Sequence, residues 1–345
     1  MGNSLPPSTN HRSHSRTILR PLLPAFLKLK LKLKLRSVNL PHLNRLTGLR
    51  WSRLCHRRST NLDTPGSQAW IATALAGRSP CAIGKVGTCE LLAQEYLDRW
   101  IRLPWPRNAS WYRPAQRLFH TAGVFPIRRK IYENWAPVYR EAVRELDFVA
   151  QWQPEGSFLD AYEQAFLDRE LPRAVRGNFH GLEPVGAPWL APLADLRWLV
   201  ISPFPETIAA QLPRLPLLNI FHGVPSESLA RLASTCRLLP CPQLPYMVRP
   251  RHRDWFHGLA EMQAAMAVID FDVAIVGAGA WSVPLAAHAK KLGRIGLHLG
   301  GTVNLLFGIR GGRFEDRGLY NEHWIRPLPG ERPANHQLME NGAYW

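Results

Sequence analysis

Acidic residues are missing from the first 60 positions of this 345-residue chain, which carry 13 Lys/Arg and no Asp or Glu. The formal net charge of +17 is therefore concentrated at one end. The other 285 residues hold 30 Lys/Arg against 26 Asp/Glu, so the body is nearly neutral and gives no ground for a specific nucleic-acid partner. Cysteine is scarce: five residues, at 55, 81, 89, 236 and 241, with no CxxC pair. An odd count without such a pair argues against a disulfide framework or a structural zinc site and favours a reducing, cytoplasmic location. No run of 18 apolar residues occurs, so no transmembrane helix is expected. No GxSxG occurs, and Cys89 has no base partner recognisable in the sequence, so serine-triad and Cys–His chemistry find no support.

What the first 60 residues do contain is Arg, Ser, Pro, His and a strict Leu/Lys alternation over 27–35. On a strand, that alternation puts Leu on one face and Lys on the other. Three readings stay open: a basic arm for anionic lipid or nucleic acid, a transit-type leader, and a disordered extension without a role. Pro6 stands where N-myristoylation wants Ser or Thr, which removes that anchor.

The whole chain is 46% hydrophobic, enough for one large core or two smaller ones. Its most telling stretch is 272–301. An apolar run at 273–276 breaks at Gly277 and Gly279, a helical segment follows over about 282–292, and a second apolar run at 295–299 stops at Gly300 and Gly301. This is a βαβ unit with a right-handed crossover and parallel strands. Ligands of such sheets bind beyond the carboxyl ends of the strands, and paired glycines there let a backbone approach a phosphate. Further strands are expected near 81–87, 148–152, 174–179 and 195–202, and helices over about 68–75, 89–101, 203–212 and 254–269. A turn is expected at 63–67. The fold class is α/β: a Rossmann-like parallel sheet with helices on both faces, its strand order left open by Pro breaks in 102–190 and 213–250.

Chemistry-bearing candidates follow from that frame. The 277–282 turn departs from GxGxxG by Ser282, and no acidic residue follows the second strand to hold a ribose, which weakens a dinucleotide reading. A phosphate site remains, because backbone N–H groups at a helix N-terminus suit any phosphate; a turn needed only for packing is the alternative. His298, Gly300 and Gly301 end the second strand. Arg310 and Arg313, set among glycines, suit bidentate contact with a diphosphate, unless they lie in a solvated loop. Trp324 is either a stacking platform or a core residue. Asp270 and Asp272 match a DxD metal motif, but they precede their strand and so fall at the wrong end of the sheet. Glu90 is better placed, in the first turn of the helix after 81–87. It could bind a metal, orient a hydroxyl, act as a base, or simply complement the helix dipole.

The pieces at 85–90 (KVGTCE), 202–207 (SPFPET), 271–280 (FDVAIVGAGA), 297–301 (LHLGG), 306–309 (LFGI) and 340–345 (ENGAYW) resemble, in order, bacterial proteins related to GT-D-type glycosyltransferases. The resemblance spans about 66–345 and leaves 1–60 outside. It implies a GT-D-like domain, a nucleotide-sugar donor, a glycan or lipid-linked acceptor, and Mn2+ or Mg2+ as cofactor. It also implies cytoplasmic work; peripheral contact with an anionic membrane is an expectation from the basic arm 1–60 alone. In the family's Arg-x-Gly-Asp-Gly-Glu signature, Lys85, Gly87 and Glu90 match in type, while Thr88 stands at the Asp and Cys89 at the second Gly. Glu90 carries over as the catalytic candidate. Lys85, Gly87, Thr88, Gly277, Gly279, His298, Gly300, Gly301, Arg310 and Arg313 form the expected phosphate and nucleotide-sugar set. A non-catalytic binding module of the same fold and an NAD(P)-dependent oxidoreductase are the alternatives.

Overall fold

The computed structural model describes residues 61–99, 111–153, 156–245, 247–339 and 341–345; the readings made for 1–60 lie outside them. The main elements, in chain order, are α1 (Thr64–Gly77), β1 (Cys81–Gly84), α2 (Thr88–Arg99), α3 (Tyr112–Ala122), α4 (Arg129–Arg144), β2 (Phe148–Gln151), α5 (Phe158–Glu170) and β3 (Val175–Asn178). They continue with α6 (Leu190–Ala194), β4 (Trp198–Ser202), α7 (Pro205–Gln211), α8 (Ser226–Thr235), β5 (Arg237–Pro240), α9 (Trp255–Val268), β6 (Val273–Val276), α10 (Ser282–Lys291), β7 (Ile295–His298) and α11 (Val303–Leu306).

The seven strands form one parallel sheet in the order β3-β2-β1-β7-β6-β4-β5. Parallel strands need crossovers that cover both faces, so most of these strands are buried on both sides. The side chains divide with the strand period of two. Trp198 and Val200, Val273 and Ile275 point to one core, while Leu199 and Ile201, Ala274 and Val276 point to the other.

Right-handed crossovers put helices on one face when the chain steps one way along the sheet, and on the opposite face when it steps back. The connections β1–β2, β2–β3, β5–β6 and β6–β7 step one way, and their helices share a core through Leu91, Leu118, Trp135, Phe166, Leu259 and Leu285. The connections β3–β4 and β4–β5 step back, and α6, α7 and α8 share the other core with α1 and the C-terminal segment. Neighbouring β1 and β7 therefore send their chains to opposite faces. Their carboxyl ends are therefore a switch point of the sheet, the place where the crevice of a doubly wound fold binds its ligand.

Several expected boundaries move for identifiable reasons. The expected turn at 63–67 is the first turn of α1: Asp63 is its cap, accepting from Gly66 N at 2.8 Å, and Pro65 needs no donor there. The expected strand at 195–202 starts only at Trp198, because Asp195 still caps α6. The strand β5 carries no signal in the sequence; it is an edge strand paired only with β4, and half-exposed. Beyond β7 the glycine pair does not simply end the strand but opens a short 3₁₀ turn (Gly300–Thr302) that leads into α11.

Candidate functional site

Lys85 emerges directly from β1 and is buried, 9% exposed. Its ammonium lies 4.4 Å from the ring centroid of Trp152 and 4.4 Å from that of Phe179. Trp152 follows β2 and Phe179 follows β3, so the carboxyl ends of three neighbouring strands supply one cation and its aromatic clamp. Burial first, then the Arg313 charge, pulls the Lys85 pKa down to about 8, with Glu90 and Glu183 opposing. At neutral pH the group remains largely an ammonium.

Gly300 and Gly301 form the floor. A Cβ on Gly300 would lie 3.4 Å from His298 Cε1, 3.6 Å from Lys85 Cε and 3.9 Å from Lys85 Nζ. A Cβ on Gly301 would lie 3.2 Å from Arg313 Nη1 and 2.7 Å from the Tyr344 ring. The two cations therefore approach consecutive glycines. Gly300 has φ +61°, which favours glycine for backbone reasons as well. The Arg313 guanidinium stacks 4.9 Å from the Tyr344 centroid. His298 is buried, and burial followed by the Lys85 charge holds its pKa down to about 3, so the ring is neutral.

Glu90 sits at the wall of this crevice, 8% exposed, in the first turn of α2. Its carboxylate fills the space that a Cβ on Gly87 would need. Burial raises its pKa, while its own backbone N–H and Lys85 favour the charged form. Behind it lies Tyr139, whose hydroxyl burial and the Glu90 charge hold protonated. Thr88 Oγ1 accepts from Gln153 Nε2 at 3.1 Å, and Trp152 Nε1 donates to Val86 O at 3.1 Å, lacing the end of β2 onto the loop after β1. Beneath that lacing, Glu163 accepts from Gln153 N at 3.3 Å, and burial pushes its carboxyl up to about 7.

Other expected residues fall elsewhere. The Gly277 turn is filled by protein: a Cβ there would meet Gly300 O at 2.7 Å, and Ser282 Oγ accepts the Ala278 N–H at 2.8 Å. Gly279 abuts Ala122 O. The two glycine turns thus pack on each other, and only the second faces the crevice, which takes away the main support for a dinucleotide reading. The Arg310 guanidinium lies 5.0 Å from the Tyr320 centroid, apart from the Arg313–Tyr344 stack, and its buried Nε has no partner. Trp324 is a core residue, 3% exposed, with Nε1 donating to Asn219 Oδ1 at 3.1 Å. Asp270 and Asp272 pair with Arg197 at the amino end of β6. The helix α7 already has an anion at its N-terminus: buried Glu331 accepts from Glu206 N at 2.6 Å and Thr207 N at 2.9 Å.

The resemblance implies Mn2+ or Mg2+ at this site. Such ions want several hard oxygens. The Glu90 carboxylate is turned onto Gly87 beside two cations, Glu183, the other carboxylate whose charge reaches Lys85, is paired with Arg317, and among the described residues no group of three His, Cys, Asp or Glu is placed to hold a metal. The residues do not fit a resident divalent ion.

Trp152, Phe179 and Tyr344 join the site without being among the residues expected there. The signal was available for the first two, since each is the first residue beyond a strand's carboxyl end. No protein-family model, no curated protein and no solved structure matches this chain. The class that the fold supports is an α/β protein with a parallel Rossmann-like sheet. Among the described residues no helix is long and apolar enough to cross a membrane.

Proposed function

We propose that this chain binds the diphosphate of a nucleotide sugar at the β1/β7 crevice and transfers the sugar to a glycan or lipid-linked acceptor in the cytoplasm. One observation carries the reading: Lys85 and Arg313 approach the consecutive glycines Gly300 and Gly301 at a switch point of the sheet. Two cations beside a half-buried glycine backbone suit a diphosphate that gains charge as it leaves. In the transfer, the bond from the anomeric carbon to the diphosphate breaks and its electron pair leaves with the diphosphate. The acceptor oxygen bonds to that carbon, and its proton passes to the Glu90 carboxylate. No metal takes part in this reading. The sugar chemistry itself rests on the resemblance to GT-D-type proteins.

The fold of Glu90 onto Gly87 favours a second reading, a binding module that holds the nucleotide without turning it over. Donor turnover separates the two. Under the first reading, Glu90→Gln lowers transfer by about 10²–10⁴-fold while nucleotide-sugar binding persists. Wild-type protein that binds a nucleotide sugar but neither transfers nor hydrolyses it supports the second.

A further inference from the structure

The near-neutral body hides an uneven surface. Residues 111–132 and 242–253 together hold eight Lys/Arg and no Asp or Glu. The rest of the body after residue 60 holds 22 Lys/Arg against 26 Asp/Glu, so its positive excess comes entirely from these two segments. In the first segment Arg113, Arg117, Arg128, Arg129 and Lys130 are all exposed. In the second, so are Arg249, Arg251 and Arg253. Only Arg129, Arg251 and Arg253 have acidic partners among the described residues: Glu133, Glu261 and Asp254.

The fold brings the two segments together. Trp255 N donates to Phe125 O at 2.9 Å, and Gly123 packs beside Leu244 and Pro245. It also places them at the carboxyl rim of the sheet. The second segment follows β5, the end of α3 lies against Gly279 just past β6, and Thr121 Oγ1 donates to Cys89 Sγ at 2.8 Å, one residue from Glu90. Two of the exposed large apolar side chains stand among these cations, Tyr112 at 48% and Val248 at 44%.

We propose that this rim is a docking surface for an anionic lipid bilayer. Cations near such a surface are drawn to its negative potential, and Tyr is at home at headgroup level. Val248 decides between anionic partners: an aliphatic side chain enters a headgroup layer, but has nothing to pair with on a phosphate backbone. The surface belongs to the folded body and does not depend on the transfer reading or on residues 1–60.

The test uses the full chain in cosedimentation with vesicles of phosphatidylcholine alone or mixed with phosphatidylglycerol. The variant Arg113→Gln/Arg117→Gln/Arg249→Gln removes three rim cations that have no acidic partner among the described residues. A control, Arg173→Gln/Arg214→Gln/Arg237→Gln, removes three exposed cations from the amino end of the sheet and the opposite face. The expected result is binding only to the mixed vesicles, weakened roughly tenfold or more in the rim variant and little changed in the control. Equal losses in both variants would reduce the effect to net charge and overturn the proposal. Rim-variant binding equal to wild type would also overturn it, by assigning attachment to 1–60. Tighter binding to duplex DNA than to vesicles at the same salt, lost in the rim variant, would overturn it in favour of a nucleic acid.

Discussion

Lys85 is the residue on which the site turns. A buried ammonium is costly, and its pKa near 8 against an ordinary 10.5 means that the unfolded chain binds the proton more tightly than the folded one. Stability therefore rises with pH between about 8 and 10.5 as the folded state sheds that charge. Retaining a costly cation between two aromatic rings makes sense if an anion completes it. Lys85→Met should leave melting unchanged or higher near neutral pH, and remove the rise between 8 and 10.5; unfolding followed across that range checks it. Glu163 has the opposite sign. Its folded pKa near 7 against 4.5 means that the folded state holds a proton the unfolded chain releases, so stability falls as pH rises through that window. Glu163→Gln should gain on wild type between about pH 4.5 and 7, then run parallel above it. Denaturant unfolding at a series of pH values decides this, and a difference constant across the window contradicts it.

At the scale of elements, close backbone approach explains the glycines better than ligand contact does. Gly277 leaves room for Gly300 O, and Gly296 in β7 leaves room for the Ala286 carbonyl of α10. Gly277→Ala should cost about 1–3 kcal/mol from overpacking, and Gly296→Ala about 3 kcal/mol, each read from denaturant unfolding. Glu331→Ala should cost roughly 2–3 kcal/mol by leaving the first amides of α7 without their buried acceptor. These positions show what the sequence made legible. The βαβ unit at 272–301 was readable because its apolar runs and glycine stops are local. The strands β2 and β3 and the helix α9 were readable for the same reason, and the structure adds that Asp254 is the cap of α9. That the first glycine turn is filled by the second was not, since it depends on β6 and β7 lying side by side. Nor was the role of Glu331, which caps a helix more than 120 positions earlier in the chain.

The whole molecule is a parallel sheet whose strand order sets what meets at its carboxyl rim. Because β7 lies beside β1, a glycine pair near 300 faces a lysine at 85, with an arginine at 313 over the same floor. The individual residues were identifiable from the sequence, whereas strand order was not, because the prolines between 102–190 and 213–250 interrupt any simple alternation of elements. The aromatic clamp is not legible in the sequence for a related reason: Trp152 and Phe179 become neighbours of Lys85 only through the β1–β2–β3 pairing.

The most direct test is calorimetric titration of nucleoside diphosphates and their sugar derivatives into wild-type protein and Lys85→Met, both in excess EDTA. The account predicts that at least one nucleoside diphosphate binds without a divalent ion, and binds tenfold or more weakly to the variant. Absence of binding by any of them, binding that requires Mn2+ or Mg2+, or equal affinity in the two proteins would contradict it.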